Sequence, residues 1–203
     1  MYILSSVGKI LKKTDNPYLN FYEMEATFQD GSHGPYYMAS RNEDPRSLKA
    51  VTHKNKTDGV VIYSVYGGDR LVLIRQFRFP INDYIYEFPA GLIDPGEDAS
   101  TAAVREIFEE TGLTFTPREG GFCSRPFYTT VGITDESCAM VFGTCHGNPS
   151  NLHQEYREEI QVVLADRAEC RRILQEENVA VMCAYMLMHF IASSGDPLDF
   201  LNS

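Results

Sequence analysis

Acidic side chains are crowded in one stretch, which holds six acidic residues and a single arginine between Gly91 and Leu113. Three of the acidic residues, Glu106, Glu109 and Glu110, fall at the spacing i, i+3 and i+4. If this stretch is helical, the three carboxylates project from one side of the helix. Their close approach is the first feature of the sequence that points to chemistry.

This crowding needs a positive charge nearby, because like charges at this spacing destabilise an isolated helix by about 0.2–0.5 kcal/mol per pair. Arg105 supplies one, since it precedes Glu109 by four residues, and Glu97 in the preceding loop can fold back to it. A solvated, charged helix face is one explanation of the charge that remains. The other is a divalent cation, because carboxylate oxygens suit Mg²⁺ or Mn²⁺, which bind few protein carboxylates together with substrate phosphates. The second explanation predicts a site that handles a diphosphate.

The residues before the predicted helix allow the backbone to approach it closely. Pro89-Ala90-Gly91 predicts a tight turn out of a strand, which frees the carbonyl of Ala90 to complete the coordination of a metal. Gly96 gives the loop the freedom that Glu97 needs to turn back toward the helix. The sequence thus predicts one backbone oxygen and several carboxylates around one cation.

Local signals define the elements that must position these residues. Asp98 or Ser100 is a suitable N-cap for the helix, and Gly112 is a C-terminal stop. Strands are predicted in runs of apolar, β-branched and aromatic residues: GVVIYSVY, RLVLIRQFRF, YIYEFPAG, RPFYTTV, SCAMVFGTCH and EIQVVLA. Two more helices are predicted, DRAECRRILQ and the apolar run after Asn178. This irregular mixture predicts α/β or α+β sheet layers rather than a doubly wound parallel sheet.

The first part of the chain predicts a smaller antiparallel β-sheet of its own. LNFYEMEATF and GPYYMASR have the composition of strands, and Asp30-Gly31 between them is a strong hairpin signal. The charged segment 42–58 is the only stretch that resembles a linker. We therefore expect an N-terminal β-sheet region at residues 1–45 and a main domain at residues 46–203.

Composition excludes several classes of protein. The formal net charge of −10 argues against a surface that binds nucleic acid polymers, which is expected to be basic. The five cysteines form no CxxC pair and no zinc-binding spacing, so we expect reduced thiols in the core. The N-terminus lacks the pattern of a secretory signal, and the apolar run VAVMCAYMLMHFIA is too short to span a bilayer. No membrane association and a cytoplasmic location are the corresponding expectations.

The spacing of the acidic stretch resembles the box of the Nudix hydrolases. Gly91 is followed after five residues by Glu97, and after seven more by REIFEETGL, residues 105–113. The resemblance implies an α/β/α sandwich for the main domain. It also implies hydrolysis, dependent on Mg²⁺, of a nucleoside diphosphate linked to another moiety.

The resemblance assigns roles to the residues of the box. It implies that a backbone carbonyl and three carboxylates hold Mg²⁺, or Mn²⁺ as the alternative: Ala90, Glu106, Glu109 and Glu110. Glu97 and Arg105 would keep the loop and the helix in place around these ligands, which makes Arg105 part of the catalytic group.

The resemblance extends to the ADP-ribose pyrophosphatase branch of the family, through LVLIRQFRFPINDYIYEFPAGLIDPGE. This likeness implies that Arg78 contacts the substrate diphosphate and that Arg41 is a second phosphate or ribose contact, with surface ion pairs as the alternative. It also implies a homodimer formed through the N-terminal sheet, in which Tyr18 and Tyr36 stack on adenine. The chain has no tryptophan, which relatives often use there, so the base stays open and ordinary packing is the alternative for both tyrosines.

Downstream residues complete the expected site. TTVGITDE resembles a substrate-binding segment of the same branch, with Gly132 at its turn and Glu136 as its acidic residue. EYREEIQVV resembles the place of the glutamate that activates water, for which Glu159 is the first candidate, Glu158 the second and Glu155 the third. A charged loop without a catalytic part is the alternative.

These residues imply a small-molecule substrate, a nucleotide sugar. ADP-ribose, cleaved to AMP and ribose 5-phosphate, is the first candidate. The same chemistry on GDP-mannose or UDP-glucose is the second. A module that senses ADP-ribose without cleaving it is a third, although sensors can lose the metal-binding glutamates that this chain retains.

Overall fold

The computed structural model describes residues 4–119, 124–154 and 159–202. Its strands, numbered in chain order, are β1 (Ser6–Lys12), β2 (Asn20–Thr27), β3 (His33–Ser40), β4 (Gly59–Tyr66), β5 (Arg70–Arg78), β6 (Asp83–Glu87), β7 (Ala90–Leu92), β8 (Thr114–Pro117), β9 (Pro126–Tyr128), β10 (Ser137–His146) and β11 (Ile160–Ala165). Its helices are α1 (Lys49–Thr52), α2 (Ala99–Thr111), α3 (Arg167–Glu176) and α4 (Val181–Ala192), with 3-10 turns at Pro45–Ser47 and Asp199–Asn202.

The chain divides into two units. The small unit comprises Met1–Asp58 and Pro126–Cys138. The large unit comprises Gly59–Arg125 and Ala139–Ser203. Each unit has its own core.

The small unit is built on an antiparallel sheet in the order β1-β2-β3. Alternate residues of β2 face inward, so that Tyr22 and Met24 pack with Met38 and Leu48. The predicted hairpin between β2 and β3 is present, and Gly31 turns it with a φ of 84°. β1 has no counterpart among the predicted strands, because its residues are mostly exposed and show no regular alternation.

The large unit contains a sheet whose main path runs β11-β5-β4-β10-β8, with β6 beside β5 and β7 beside β4. On one face of the sheet, Val60 and Ile62 of β4 pack with Ala103 and Ile107 of α2. Ile107 is fully buried, and burial of such a side chain contributes about 1.5–3 kcal/mol to stability. This packing fixes α2 against the centre of the sheet.

The opposite face of the sheet carries aromatic side chains and the helices α3 and α4. The ring of Tyr63 lies 5.4 Å from that of Phe88 and 5.8 Å from that of Phe142. α3 contacts β11 and α4 contacts β6, and the two helices pack on each other. With helices on both faces of its sheet, the large unit has the layered α/β arrangement that the sequence predicts.

The chain between β6 and α2 departs from the predicted turn at Pro89-Ala90-Gly91. After Phe88 and Pro89 the chain leaves β5, and Ala90–Leu92 forms the short strand β7 against β4. The pairing with β4 includes a hydrogen bond from the N–H of Ile62 to the carbonyl of Pro89 at 2.9 Å, while the N–H of Ala90 donates to Glu110 instead. β7 and β8 have only three and four residues, so neither is long enough to show a strand periodicity in the sequence.

Both ends of α2 are capped as the sequence predicts. Asp98 is the N-cap, and its Oδ1 accepts the backbone N–H of Thr101 at 2.8 Å. This bond lowers the pKa of Asp98. At the other end, Gly112 has a φ of 69° and its N–H donates to the carbonyl of Phe108 at 2.9 Å. Of the two predicted N-caps, Asp98 is therefore the correct one and Ser100 lies inside the helix.

Four of the five predicted core thiols lie in the described residues, and all four are unpaired. Burial raises the pKa of Cys138 and of Cys145 to about 11, and that of Cys170 to about 12. Such thiols are protonated at neutral pH and are poor nucleophiles. Cys123 lies outside the described residues.

α4 corresponds to the predicted apolar helix, and it buries Leu187 and Phe190 in the large unit. It has 12 residues. Among the helices that the structure describes, α4 included, none combines the length and the apolar character needed to cross a bilayer.

Replacement of Asp98 by Ala should lower the free energy of unfolding by about 1 kcal/mol at neutral pH, because the N–H of Thr101 loses its partner. Asp98→Asn keeps an acceptor and should cost less. Because the folded-state pKa of Asp98 is lowered, the difference from wild type should shrink as the pH falls through that pKa. Urea denaturation at two pH values measures both effects. Equal midpoints for wild type and Asp98→Ala at neutral pH would contradict the assigned cap.

Candidate metal and diphosphate site

The candidate site lies where β7 meets the second half of α2 in the large unit. β7 pairs with β4, with Ala90 opposite Val61 and Gly91 opposite Val60, and α2 contacts both strands. The packing of α2 on β4 therefore brings the backbone of β7 against the glutamates of α2. Every metal ligand that the sequence predicts is on one of these two elements.

Arg105 folds back onto Glu97, as the spacing predicts. Its Nε donates to Glu97 Oε1 at 3.1 Å and its Nη2 donates to Glu97 Oε2 at 3.0 Å, so the guanidinium and the carboxylate meet in a two-bond fork. Charge-assisted pairs with this geometry are among the stronger hydrogen bonds of proteins. The guanidinium of Arg105 lowers the pKa of Glu97. Asp94 N–H adds a third bond to Glu97, at 3.1 Å, which closes the loop around Gly96.

The same guanidinium also binds two glutamates of α2. Nη1 of Arg105 donates to Glu106 Oε1 at 2.8 Å and to Glu109 Oε2 at 3.0 Å, while Nη2 donates to the carbonyl of Leu92 at 3.0 Å. These acidic partners raise the pKa of Arg105, with Glu97 as the largest cause. The guanidinium of Arg105 thus joins the loop, β7 and α2.

Glu110 lies on the inner side of α2 and is only 3% exposed. Its Oε2 accepts the backbone N–H of Ala90 at 3.2 Å, which ties the carboxylate to β7. A buried carboxylate requires hydrogen bonds and a compensating charge to remain ionised. A cation beside β7 would stabilise the ionised carboxylate further.

Gly91 is required by the position of Glu106. A Cβ added to Gly91 would lie 1.9 Å from Glu106 Oε1 and 2.4 Å from Oε2, far inside contact distance. Gly91 is not among the glycines with positive φ, so its backbone does not require glycine. The absent side chain instead leaves the space in which the carboxylate of Glu106 lies.

The residues present fit the predicted Mg²⁺ or Mn²⁺. Glu106 and Glu110 both hold their carboxylates against β7, whose carbonyl groups are further oxygen donors, and these ions prefer oxygen ligands. Across residues 4–119, 124–154 and 159–202, no three His, Cys, Asp or Glu side chains are arranged as a ready-made metal cluster. Glu106 and Glu109 each direct one carboxylate oxygen to Arg105. The ligand roles of Ala90, Glu106, Glu109 and Glu110 stay predictions.

Arg78, the predicted diphosphate contact, is paired with an acidic residue that the sequence analysis did not identify. Its Nε donates to Glu87 Oε2 at 2.7 Å, and about half of its side chain is exposed. Glu87 of β6 is paired with Ile74 of β5. Ile74 and Arg78 are four residues apart on β5, so Glu87 and Arg78 face the same side of the sheet. The alternation of side chains along β5 and β6 would predict this pair, but only once the register of the two strands is known.

Glu159, the first candidate for activating water, is held by Tyr84. The hydroxyl of Tyr84 donates to Glu159 Oε1, and this bond raises the pKa of Tyr84. The guanidinium of Arg75 lies 3.9 Å above the ring of Tyr84. Nothing in the local sequence signals this contact, because it joins strands on opposite sides of β5.

The contact with Tyr84 lies on the α3 side of the sheet. Tyr86, two residues beyond Tyr84 and on the same face of β6, accepts a hydrogen bond from Arg172 of α3 at 3.4 Å. To act on a water next to α2, the carboxylate of Glu159 must therefore leave Tyr84. The other two candidates, Glu155 and Glu158, lie outside the described residues.

In the small unit, the predicted substrate residues form two pairs. Tyr36 donates its hydroxyl to the carbonyl of Gly132 at 2.9 Å, and Arg41 Nε donates to Glu136 Oε1 at 2.9 Å. Tyr18 lies on the turn before β2, with 74% of its surface exposed. The roles of these five residues in substrate binding stay predictions.

Comparisons with known proteins agree with this geometry. The NUDIX domain family matches residues 55–180. The chain is 34% identical over 107 residues to the ADP-sugar pyrophosphatase of Mus musculus, which covers 50% of this chain and 48% of that protein. It is 35% identical over 123 residues to the ADP-ribose pyrophosphatase of Bacillus subtilis (strain 168), which covers 61% of this chain and 55% of that protein. The chain thus spans about half the length of these two curated relatives.

A solved structure also resembles this one. The "Crystal structure of ADP compounds hydrolase" superposes with a TM-score of 0.62 at 20% sequence identity, over 85% of this chain and 83% of that one. This likeness confirms the predicted fold class, an α/β sandwich with a small additional antiparallel β-sheet.

Replacement of Gly91 by Ala should weaken the binding of Mn²⁺ without unfolding the protein. The new Cβ displaces only the flexible end of Glu106, so the stability should stay near that of wild type, while a predicted ligand leaves its place. Isothermal titration with Mn²⁺ and thermal unfolding measure the two quantities. Gly195→Ala is the control, because its Cβ would approach only Asp199, at 3.2 Å. Unchanged Mn²⁺ affinity in Gly91→Ala would show that Glu106 is not a ligand.

Proposed function

Because the chain belongs to the NUDIX domain family, whose match covers residues 55–180, we propose that it hydrolyses the diphosphate linkage of a nucleoside diphosphate sugar. ADP-ribose, cleaved to AMP and ribose 5-phosphate, is the first candidate substrate. The observation that carries the proposal is the shared guanidinium of Arg105, which gathers Glu97, Glu106 and Glu109 beside the buried Glu110. The names of the relatives from Mus musculus and Bacillus subtilis support an ADP-linked substrate.

The chain's own groups divide the work of binding the diphosphate and the cation. Glu106, Glu109 and Glu110, with the carbonyl of Ala90, would hold Mg²⁺ or Mn²⁺. When bound, such an ion neutralises charge on the diphosphate and lowers the pKa of a coordinated water. Arg78 releases Glu87 and donates to a phosphate oxygen of the substrate instead. The exchange is possible because the forked donors of a guanidinium suit a carboxylate and a phosphate equally.

Hydrolysis then requires a base for the attacking water. The water oxygen joins one phosphorus, the bridging P–O bond breaks, and the bridging oxygen leaves with the other phosphate. A glutamate in the segment before β11 accepts the proton of the water, and the proposed residues are Glu159 and Glu158. Arg105 takes no proton. Its part is to hold the loop and α2 at a fixed distance, through Glu97 on one side and Glu109 on the other.

The small unit is proposed to select the base of the substrate. Tyr18 and Tyr36 expose their rings, and exposed aromatic faces can stack on a nucleobase. A homodimer formed through the sheet of β1, β2 and β3, and a cytoplasmic location, are further parts of the proposal.

Purified protein with Mg²⁺ should cleave ADP-ribose to AMP faster than it cleaves GDP-mannose, UDP-glucose, NADH or diadenosine polyphosphates. Glu110→Gln should lose nearly all of this activity, because it removes a predicted metal ligand with little change of shape. Glu119→Gln, an exposed carboxylate of the same unit, is the matched control and should retain the activity. Chromatographic separation of the nucleotide products measures all of these rates.

The outcomes separate the candidate functions. Faster cleavage of another nucleotide sugar would preserve the reaction and move the question of base selection to Tyr18 and Tyr36. Binding of ADP-ribose without cleavage of any compound would refute the proposed enzymatic activity and favour a role as a sensor of ADP-ribose. Full activity of Glu110→Gln would refute the assigned metal ligand.

A further inference from the structure

The C-terminal end of α2 is covered by residues 150–154, which we call the α2 clasp. The last carbonyl groups of a helix have no partners inside the helix. Two of them are satisfied here: Ser150 N–H donates to the carbonyl of Thr111 at 2.8 Å, and Gln154 Nε2 donates to the carbonyl of Glu110 at 2.7 Å. The clasp is therefore bonded to the turn of α2 that carries the glutamates.

Packing at the same place adds to these hydrogen bonds. The imidazole of His153 stacks on the ring of Phe108, with ring centroids 4.3 Å apart. A Cβ added to Gly112 would lie 2.7 Å from the Cβ of Ser150 and 2.9 Å from its nitrogen. The α2 clasp thus fits closely around the end of the helix.

Glu110 is consequently held at two points. Its carboxylate accepts the N–H of Ala90 in β7, and its carbonyl accepts the side-chain amide of Gln154. The bond to Ala90 fixes the carboxylate, and the bond to Gln154 fixes the backbone from which that carboxylate projects. A ligand anchored at both ends keeps its position without rearrangement when an ion arrives.

We propose that Gln154 is a positioning residue that sets the place of Glu110 in the metal site through the carbonyl of Glu110. This inference rests on the proposed function, in which Glu110 is a metal ligand. It adds a residue outside the matched spacing of residues 91–113, and one that touches neither the ion nor the substrate.

The test compares three variants of the full chain. Gln154→Ala removes the donor, and Gln154→Glu replaces it by an acceptor of the same shape. Asn151→Asp makes the same change from amide to acid in the same segment, on an exposed side chain, and is the control for added charge. Mn²⁺ affinity by isothermal titration, kcat and KM for the substrate, and hydrogen exchange of the last turn of α2 are measured for each.

Gln154→Ala and Gln154→Glu should each weaken Mn²⁺ binding by about 10- to 100-fold, the effect expected when an outer partner of a metal ligand is lost. The value of kcat should fall while KM for the nucleotide sugar changes little. The amides in the last turn of α2 should exchange faster. Asn151→Asp should match wild type in all these measurements.

Mn²⁺ affinity and kcat equal to those of wild type in both Gln154 variants would overturn the inference and leave the proposed function intact. Faster exchange without any change of Mn²⁺ affinity or kcat would also overturn it, because Gln154 would then only stabilise the helix end. If wild type binds no Mn²⁺ and cleaves no nucleotide sugar, the proposed function fails, and the positioning role of Gln154 fails with it. Hydrogen exchange would still show whether Gln154 tethers α2.

Discussion

The site depends on one guanidinium shared by three carboxylates. α2 carries Glu106, Glu109 and Glu110 on neighbouring turns, where their mutual repulsion opposes the helix. Arg105 offsets part of it through Glu106 and Glu109, and its fork with Glu97 extends this support to the preceding loop. The arginine therefore holds together an acidic cluster that would otherwise disperse. The buried carboxylate of Glu110 lies against β7 in the same cluster, where a divalent cation would add further positive charge.

The geometry around Arg105 follows from the packing of the large unit. Ile107 packs the inner side of α2 against β4, and β7 pairs with β4. Both α2 and β7 are therefore fixed to β4. Because Gly91 has no side chain, the carboxylate of Glu106 can lie directly on the backbone of β7. At the end of α2, Gln154 holds the backbone of Glu110. The packing of α2 on the sheet, the glycine at position 91 and the side-chain amide of Gln154 together determine where the carboxylates lie.

Sequence alone predicted the local features of this arrangement. The caps of α2 at Asp98 and Gly112, and the bonds from Arg105 to Glu97 and Glu109, depend on short spacings, which a sequence displays directly. Contacts that depend on strand register were not predictable in this way. Glu87 meets Arg78, and Tyr84 meets Glu159, only because β6, β5 and β11 pair in one particular alignment. Strands β1, β7 and β8 were missed because they are exposed or too short to show an alternation.

Anomalous diffraction from crystals of the wild-type protein grown with Mn²⁺ tests the central claim most directly, because it locates the ion among the carboxylates. We predict a peak in contact with the carboxylates of Glu106 and Glu110 and with the carbonyl of Ala90, while Arg105 keeps its fork with Glu97. A peak that contacts none of the glutamates of α2, or no peak at saturating Mn²⁺, would contradict the claim. The acidic side of α2 would then be a charged surface that Arg105 stabilises without a metal ion.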